Sequence, residues 1–401
     1  MYEPCSQAYR ESQHMVTKRW TLLDTSDDTY AGPLDIVPAD IEGSTADFRV
    51  SLRTLRGGLR DGVDVLLVES GEVRVALLPT RGMGVWKAWH GEVELGWRSP
   101  VRGPVHPKFV PLRDPSGLGW LDGFDELIVR CGLESNGAPE FDEAGRLVYP
   151  LHGRIANLPA RRVELSVDGE SGEVTVTGVV DEVRFLFQKL RLTTTVVVSP
   201  ERCGFAIEDR VENLSADPAG MQLLYHCNFG PPLLSDGSQV VLPVAEMTPR
   251  DDHAATGLTA WDTYAGPSPG ESEQVYFFDL HADPDGHTQA LLENNEAAIG
   301  ASLHFNTRQL PCFSLWKNTQ AVVDGYVTGL EPGTNYPNPR SHEDAHGRVV
   351  ELAPGESRGF SLALEFHPDE AALVAARAAI AKLQAGGKPQ IHPAPVPGWT
   401  A

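Results

Sequence analysis

Three short stretches pair an ionisable side chain with residues that end or bend a strand. The first is "VYPLHGRIANLP" (148–159), where Gly153 lets the backbone bend between His152 and Arg154 and bring both side chains to one rim. The second is "LLYHCNFGPPLL" (223–234), in which His226 closes an apolar run and Cys227, Asn228, a glycine and a proline pair follow, the composition of a strand running out into a turn. The third is "VTGLEPGTNYPNPRSHED" (327–344), where Glu331 stands between Gly329-Leu330 and a stretch dense in Pro, Gly and Asn. It reads as a half-desolvated carboxylate at a strand end, its pKa raised toward that of a general base. Each also has an ordinary reading: a loop histidine satisfied by a carbonyl, a structural histidine, a solvated turn glutamate. Taken together, an imidazole and a carboxylate with separately tuned pKa values are the minimum for acid/base chemistry at neutral pH.

Aromatic residues narrow the class of ligand. Trp86, Trp89, Trp97, Trp120, Trp261 and Trp316 fall in loop-like or strand-end contexts, and indole packs on the C–H faces of sugars while hydroxyls seek polar partners. Lys317 and Asn318, directly after Trp316, are candidate hydroxyl contacts. His106, His152, His226 and Glu331 offer ligand types suited to one divalent metal, although acid/base chemistry itself calls for no metal and no cofactor. The motifs of P-loops and of dinucleotide-binding folds are absent. "DDHAATG" (251–257) holds carboxylates and a histidine without a helical i, i+4 arrangement and reads as a solvated loop.

The elements that must position these groups are strands. "DVLLVESGEVRVALLP" (64–79) is two apolar runs around Ser70-Gly71, a hairpin, and 161–180 and 190–215 continue the period-two alternation with Gly and Asp turns. Short strands at steady spacing predict an all-β fold, an antiparallel sandwich or barrel with few peripheral helices. One helix is expected near the C-terminus, where Leu373, Ala376, Ile380 and Leu383 recur at helical spacing ahead of Gly386-Gly387. No linker splits the series. The expected organisation is an irregular N-terminal extension (1–45), one domain (46–385) and a Pro-rich tail (386–401), the extension being free to cover an edge, close the cleft or make a homodimer contact.

Charge and cysteine content exclude other classes. With 33 basic and 55 acidic side chains the net charge is −22, which repels a nucleic-acid backbone over most of the surface. No apolar run is long enough to span a membrane, and the N-terminus lacks the apolar core of a secretory signal. The five cysteines are scattered and never form a C-x-x-C pair, which fits reduced thiols and a cytoplasmic location.

The order of the segments, "LHG", a strand series ending "VENLS", "LLYHCNFG", "GLEPGTNYPNP" and "VVELAPGESRGFSLALEF", resembles the galactose mutarotase-like superfamily, the aldose 1-epimerases, over most of residues 60–367. The likeness points to a branch distinct from the galactose enzymes. It implies a single large antiparallel β-sandwich whose concave face holds a small carbohydrate. It further implies that His226 acts as general acid toward the ring oxygen, Glu331 as general base toward the anomeric hydroxyl, and that His152 binds near the ring oxygen or O4. An arginine that contacts sugar hydroxyls in the family has Arg81, Arg98 and Arg154 as candidates. The region 119–141 departs from the galactose enzymes, so Asp122, Asp125 and Glu126 are placed to meet a different sugar. The implied activity is interconversion of sugar anomers. Two alternatives stand beside it: a lyase or isomerase acting on an oxidised sugar, with or without a metal, and a carbohydrate-binding protein without turnover.

Overall fold

The computed structural model describes residues 16–294 and 299–401. Alternation of apolar and polar residues produces the strands as expected. Along Val174–Val183 and Lys189–Val198 every second residue is buried, and the two pair antiparallel from Val174 opposite Val198 to Val183 opposite Lys189. The hairpin of Asp64–Ser70 and Val73–Leu78 turns through Gly71 at φ 57°, a left-handed conformation that favours glycine.

Among the described residues these strands assemble into two large sheets, one of ten strands and one of 14. The ten-stranded sheet has Gly204–Asn213 and Ser357–His367 near its middle, and the larger one places Cys312–Asn318, Val327–Gly333, Ala219–Phe229 and Ile128–Leu133 side by side. Between them lies one continuous apolar core, to which Ala219–Phe229 contributes Leu223, Tyr225, Cys227 and Phe229. Because side chains alternate across a strand, Leu224 and His226 face the other way, out of the sandwich. A polar bolt crosses the core: the Arg130 guanidinium of the large sheet pairs with Asp209 of the smaller one and donates to Thr194, while the Tyr225 hydroxyl donates to Asp209 at 2.8 Å.

Several local expectations need correction. Residues 1–15 of the N-terminal segment lie outside the described residues, and from residue 16 on the segment is not irregular: Thr17–Asp24 pairs with Arg162–Asp168, and Leu34–Ile36 pairs with Phe48–Thr54, so it adds strands at the margins of both sheets. The Pro-rich tail packs down, with Gln390–Ile391 pairing alongside Val244–Pro249 and Trp399 stacked on Tyr336. Residues 251–257 contain a one-turn helix, Asp252–Ala255, capped by the Asp251 carboxylate. The helix Glu370–Gln384, capped by Asp369, buries Leu373, Ala376 and Ile380 against Leu291 on the outside of the ten-stranded sheet. Cys131, Cys203, Cys227 and Cys312 are free thiols, and Cys5 lies outside the described residues. Among the described residues no helix is long and apolar enough to cross a membrane.

Candidate functional site

On the outer face of the large sheet, the strands Ala219–Phe229 and Val327–Gly333 bring His226 and Glu331 together. The register that pairs Leu224 with Gly333 and Cys227 with Leu330 sets His226 opposite Glu331, and cross-strand neighbours are within contact reach. His226 Nε2 lies 3.2 Å from Glu331 Oε1, with both side chains buried. Glu331 is therefore mid-strand and fully enclosed, not half-desolvated at a strand end. Gly329, two residues earlier on the same face, makes the room: a Cβ there would sit 2.4 Å from Glu331 Oε1 and 3.2 Å from His226 Cε1.

The proton positions follow from Asn228, which shares the face of His226. Its Nδ2 donates to the carbonyls of Glu126 and His226 at 3.0 and 3.1 Å, so its Oδ1 must turn to His226 Nδ1, 2.5 Å away. Nδ1 is then the donor, and in the neutral imidazole Nε2 carries the lone pair that faces Glu331. Burial pushes the Glu331 carboxyl up to about 8, Glu273 adding to the shift and Arg250 opposing it. Burial likewise drives His226 well below the usual imidazole range, aided by His152 and opposed by Asn228. Both shifts run the same way, favouring a protonated Glu331 beside a neutral His226 at neutral pH.

A cavity of about 530 Å³ opens over this pair, within the size range of small-molecule sites. Its aromatic lining is Trp97, Trp120, Phe124 and Trp316. The Trp120, Phe124 and Trp316 rings lie 6.2, 5.1 and 5.4 Å from the imidazole of His226. His152 packs edge-on beside His226, its ring 5.3 Å from that imidazole, with Nδ1 held by the Asn136 carbonyl at 2.9 Å and burial lowering its pKa to about 4. Its other nitrogen stays available. Asn318 also lines the cavity: its amide donates to Gly325 O, and its Oδ1, like Trp120 Nε1, has no partner within the protein. At the mouth, Glu273 bridges Trp316 Nε1 at 2.7 Å and Arg250 at 3.1 Å.

Of the residues read from the sequence, His152, His226, Trp316, Asn318 and Glu331 share this cavity. Arg81, Asp125, Arg154 and Lys317 do not line it. Arg81 is fully buried and clamps Glu126, Asn157 and the carbonyls of Val105 and Gly123, which fixes the segment carrying Trp120 and Phe124. Asp125 accepts from Trp86 Nε1 at 2.8 Å, and burial raises its pKa to about 7. Lys317 donates to the carbonyls of Ala260, Trp261 and Thr263. Arg154 points away because His152 and Gly153 both adopt positive φ, 56° and 71°, so the turn sends its two flanking side chains to opposite sides. His106 caps the short turn Pro107–Phe109 elsewhere on the surface, and among the described residues no group of three His, Cys, Asp or Glu side chains is arranged to hold a metal ion. The sequence reading missed Asn228 and Gly329 as site residues. Both stand two positions from a chosen residue on a strand, the spacing that puts side chains on one face.

Comparison with known proteins agrees with this architecture. The model of a family described as "Domain of unknown function (DUF4432)" matches residues 60–366. A crystal structure from Klebsiella pneumoniae, of "a putative aldose 1-epimerase", is 36% identical with a TM-score of 0.91, over 94% of this chain and 98% of that one. A galactose mutarotase-like protein from Clostridium acetobutylicum (15% identity, TM-score 0.54, 79% of this chain and 98% of that one) shares the fold. So does galactose 1-epimerase from Lactobacillus acidophilus (13%, 0.52, 80% and 99%). A search of curated protein sequences returns no match. The sandwich, the match across residues 60–366 and the similarity to the Klebsiella protein together place the chain in the DUF4432 family of the galactose mutarotase-like superfamily.

Proposed function

We propose that the protein is an aldose 1-epimerase-like isomerase that interconverts the anomers of a small free sugar by acid/base ring opening. The observation that carries the reading is the buried His226–Glu331 pair, 3.2 Å apart, at the base of an aromatic cavity of about 530 Å³. Proton transfer across that gap gives a Glu331 carboxylate facing an imidazolium. In this ionisation Glu331 takes the proton of the anomeric hydroxyl while His226 Nε2 gives one to the ring oxygen, and the ring C–O bond breaks to leave the free aldehyde. Rotation about C1–C2 presents the other carbonyl face. Closure reverses both transfers, so no proton is consumed and no cofactor enters the balance. Each positioned transfer contributes roughly 10²- to 10⁴-fold. The indoles pack against the sugar's C–H face, and His152, Asn318 Oδ1 and Trp120 Nε1 meet its hydroxyls. The name of the 36%-identical Klebsiella protein supports the same activity.

The test is NMR exchange spectroscopy over a panel of free aldoses and uronates, which detects ring opening without assuming a product. His226→Ala and Glu331→Gln each abolish catalysed anomer exchange while sugar binding persists. Exchange at the wild-type rate in both variants refutes the proposal, and tight sugar binding without exchange in the wild type identifies a binding protein instead.

A further inference from the structure

The turn that delivers His152 has a second side. Arg154 projects from it into a separate hollow of about 1050 Å³, walled by the hairpin Glu140–Phe141/Leu147–Tyr149 and by Arg184 and Phe187 at the tip of the hairpin that follows Val174–Val183. On its floor Glu182 accepts the backbone N–H groups of Leu133 and Glu134 at 2.9 and 3.1 Å. Arg154 Nη2 sits 3.5 Å from Glu182 Oε1 and 3.6 Å from Glu134 Oε2, distances too long for a tight charge-assisted pair. Beside them Ser135, 1% exposed, lines the hollow with an Oγ that has no partner within the protein. Arg113 and Arg184 at the rim have no carboxylate within ion-pair distance among the described residues, the Arg184 guanidinium lying 3.9 Å over the Phe187 ring. Arg146 pairs with Asp142.

Four guanidinium groups (Arg113, Arg146, Arg154, Arg184) thus face three carboxylates (Glu134, Asp142, Glu182) here, a reversal of sign in a chain whose net charge is −22. A hollow rimmed by unpaired guanidinium concentrates anions, and planar guanidinium matches carboxylate and phosphate oxygens. We propose that this hollow is a second ligand site, separate from the His226–Glu331 cavity, for a small anionic polyol. The carboxylate or phosphate of the ligand meets Arg154 and the rim arginines, and one of its hydroxyls meets Ser135 Oγ.

The experiment is calorimetric titration of the full chain with four probes: glucuronate, glucose 6-phosphate, inorganic phosphate and uncharged glucose. The expected result is saturable binding of glucuronate or glucose 6-phosphate, unchanged by Trp316→Ala in the first cavity. It weakens at least about tenfold in Arg113→Met/Arg184→Met, the effect of losing charge-assisted contacts, and also weakens in Ser135→Ala. The rim arginines are exposed, so their double variant folds even if Arg154→Met does not, and its anomer exchange stays at the wild-type rate. The two organic probes tell a carboxylate site from a phosphate site, and phosphate alone tells whether the hydroxyls matter. Anionic probes that bind no better than glucose, or that bind equally well to the rim variant, or that are lost with Trp316→Ala, overturn the proposal.

Discussion

Gly329→Ala offers a test of the catalytic reading that removes no reactive group. The added Cβ would stand 2.4 Å from Glu331 Oε1, against the 3.0 Å below which real Cβ contacts essentially never fall, so the carboxylate must move by at least 3.0 − 2.4 = 0.6 Å. His226 Cε1, at 3.2 Å from the same Cβ, closes one direction of escape. Displacements approaching 1 Å in a reacting group cost about 10²-fold in rate. Gly329 does not have a positive φ, so alanine brings no backbone strain and folding survives. The expected outcome is a kcat for anomer exchange lowered about 10²-fold with sugar binding and melting temperature close to wild type. Gly359→Ala is the control, since its Cβ would meet nothing nearer than Asp209 O at 3.9 Å. Wild-type exchange in Gly329→Ala would show that the position of Glu331 does not govern the chemistry.

Other consequences can be measured directly. Since the dyad keeps one proton until Glu331 ionises near 8, kcat/KM is level through neutral pH, falls as pH rises past about 8, and falls again in acid as His226 takes a second proton; a rate that climbs through pH 9 contradicts this. The folded pKa of Glu331 lies above its ordinary 4.5, so its share of stability is present below 4.5 and is lost as pH climbs to about 8. Glu331→Gln should therefore gain melting temperature relative to wild type at pH 9 but not at pH 5. Asn228→Leu strips the acceptor from His226 Nδ1, and ¹⁵N NMR of the imidazole should show the tautomer no longer held; Asn228→Asp raises the histidine's pKa and moves the acid limb of the rate profile to higher pH. Asp209→Asn leaves Arg130 buried without its countercharge, and chemical denaturation should register a loss of about 3–5 kcal/mol.

The sheets were legible in the sequence because alternation is a local signal: the hairpins at 64–79 and 162–183 need only their own residues to be read. His226, Glu331 and His152 were singled out because turn-forming neighbours marked them, and Trp316 because indole suits a sugar's C–H face; all four line the one cavity. Arg81 and Arg154 were misread because reach into a cavity depends on backbone direction, and nothing local in "LHGR" announces that His152 itself takes a positive φ. Glu331 was placed at a strand end because Pro332-Gly333 looks like a turn. The strand instead runs through both residues, and pairing with the histidine strand skips from Leu224–Gly333 to Cys227–Leu330. Pro332, which has no N–H to donate, falls in that gap. Thr17–Asp24 escaped notice because its partner, Arg162–Asp168, lies far along the chain, and Leu34–Ile36 because it is only three residues long.

The cross-strand placement of the dyad has an evolutionary corollary. The separation of acid and base is inherited from ladder geometry, which no single substitution on a connector can alter, whereas Trp97, Trp120, Phe124, Arg250 and Asp324 reach the cavity from segments between strands or at their margins. On the proposed reading, substrate preference can diversify by exchanging those segments while the spacing of His226 and Glu331 stays as the strand ladder sets it.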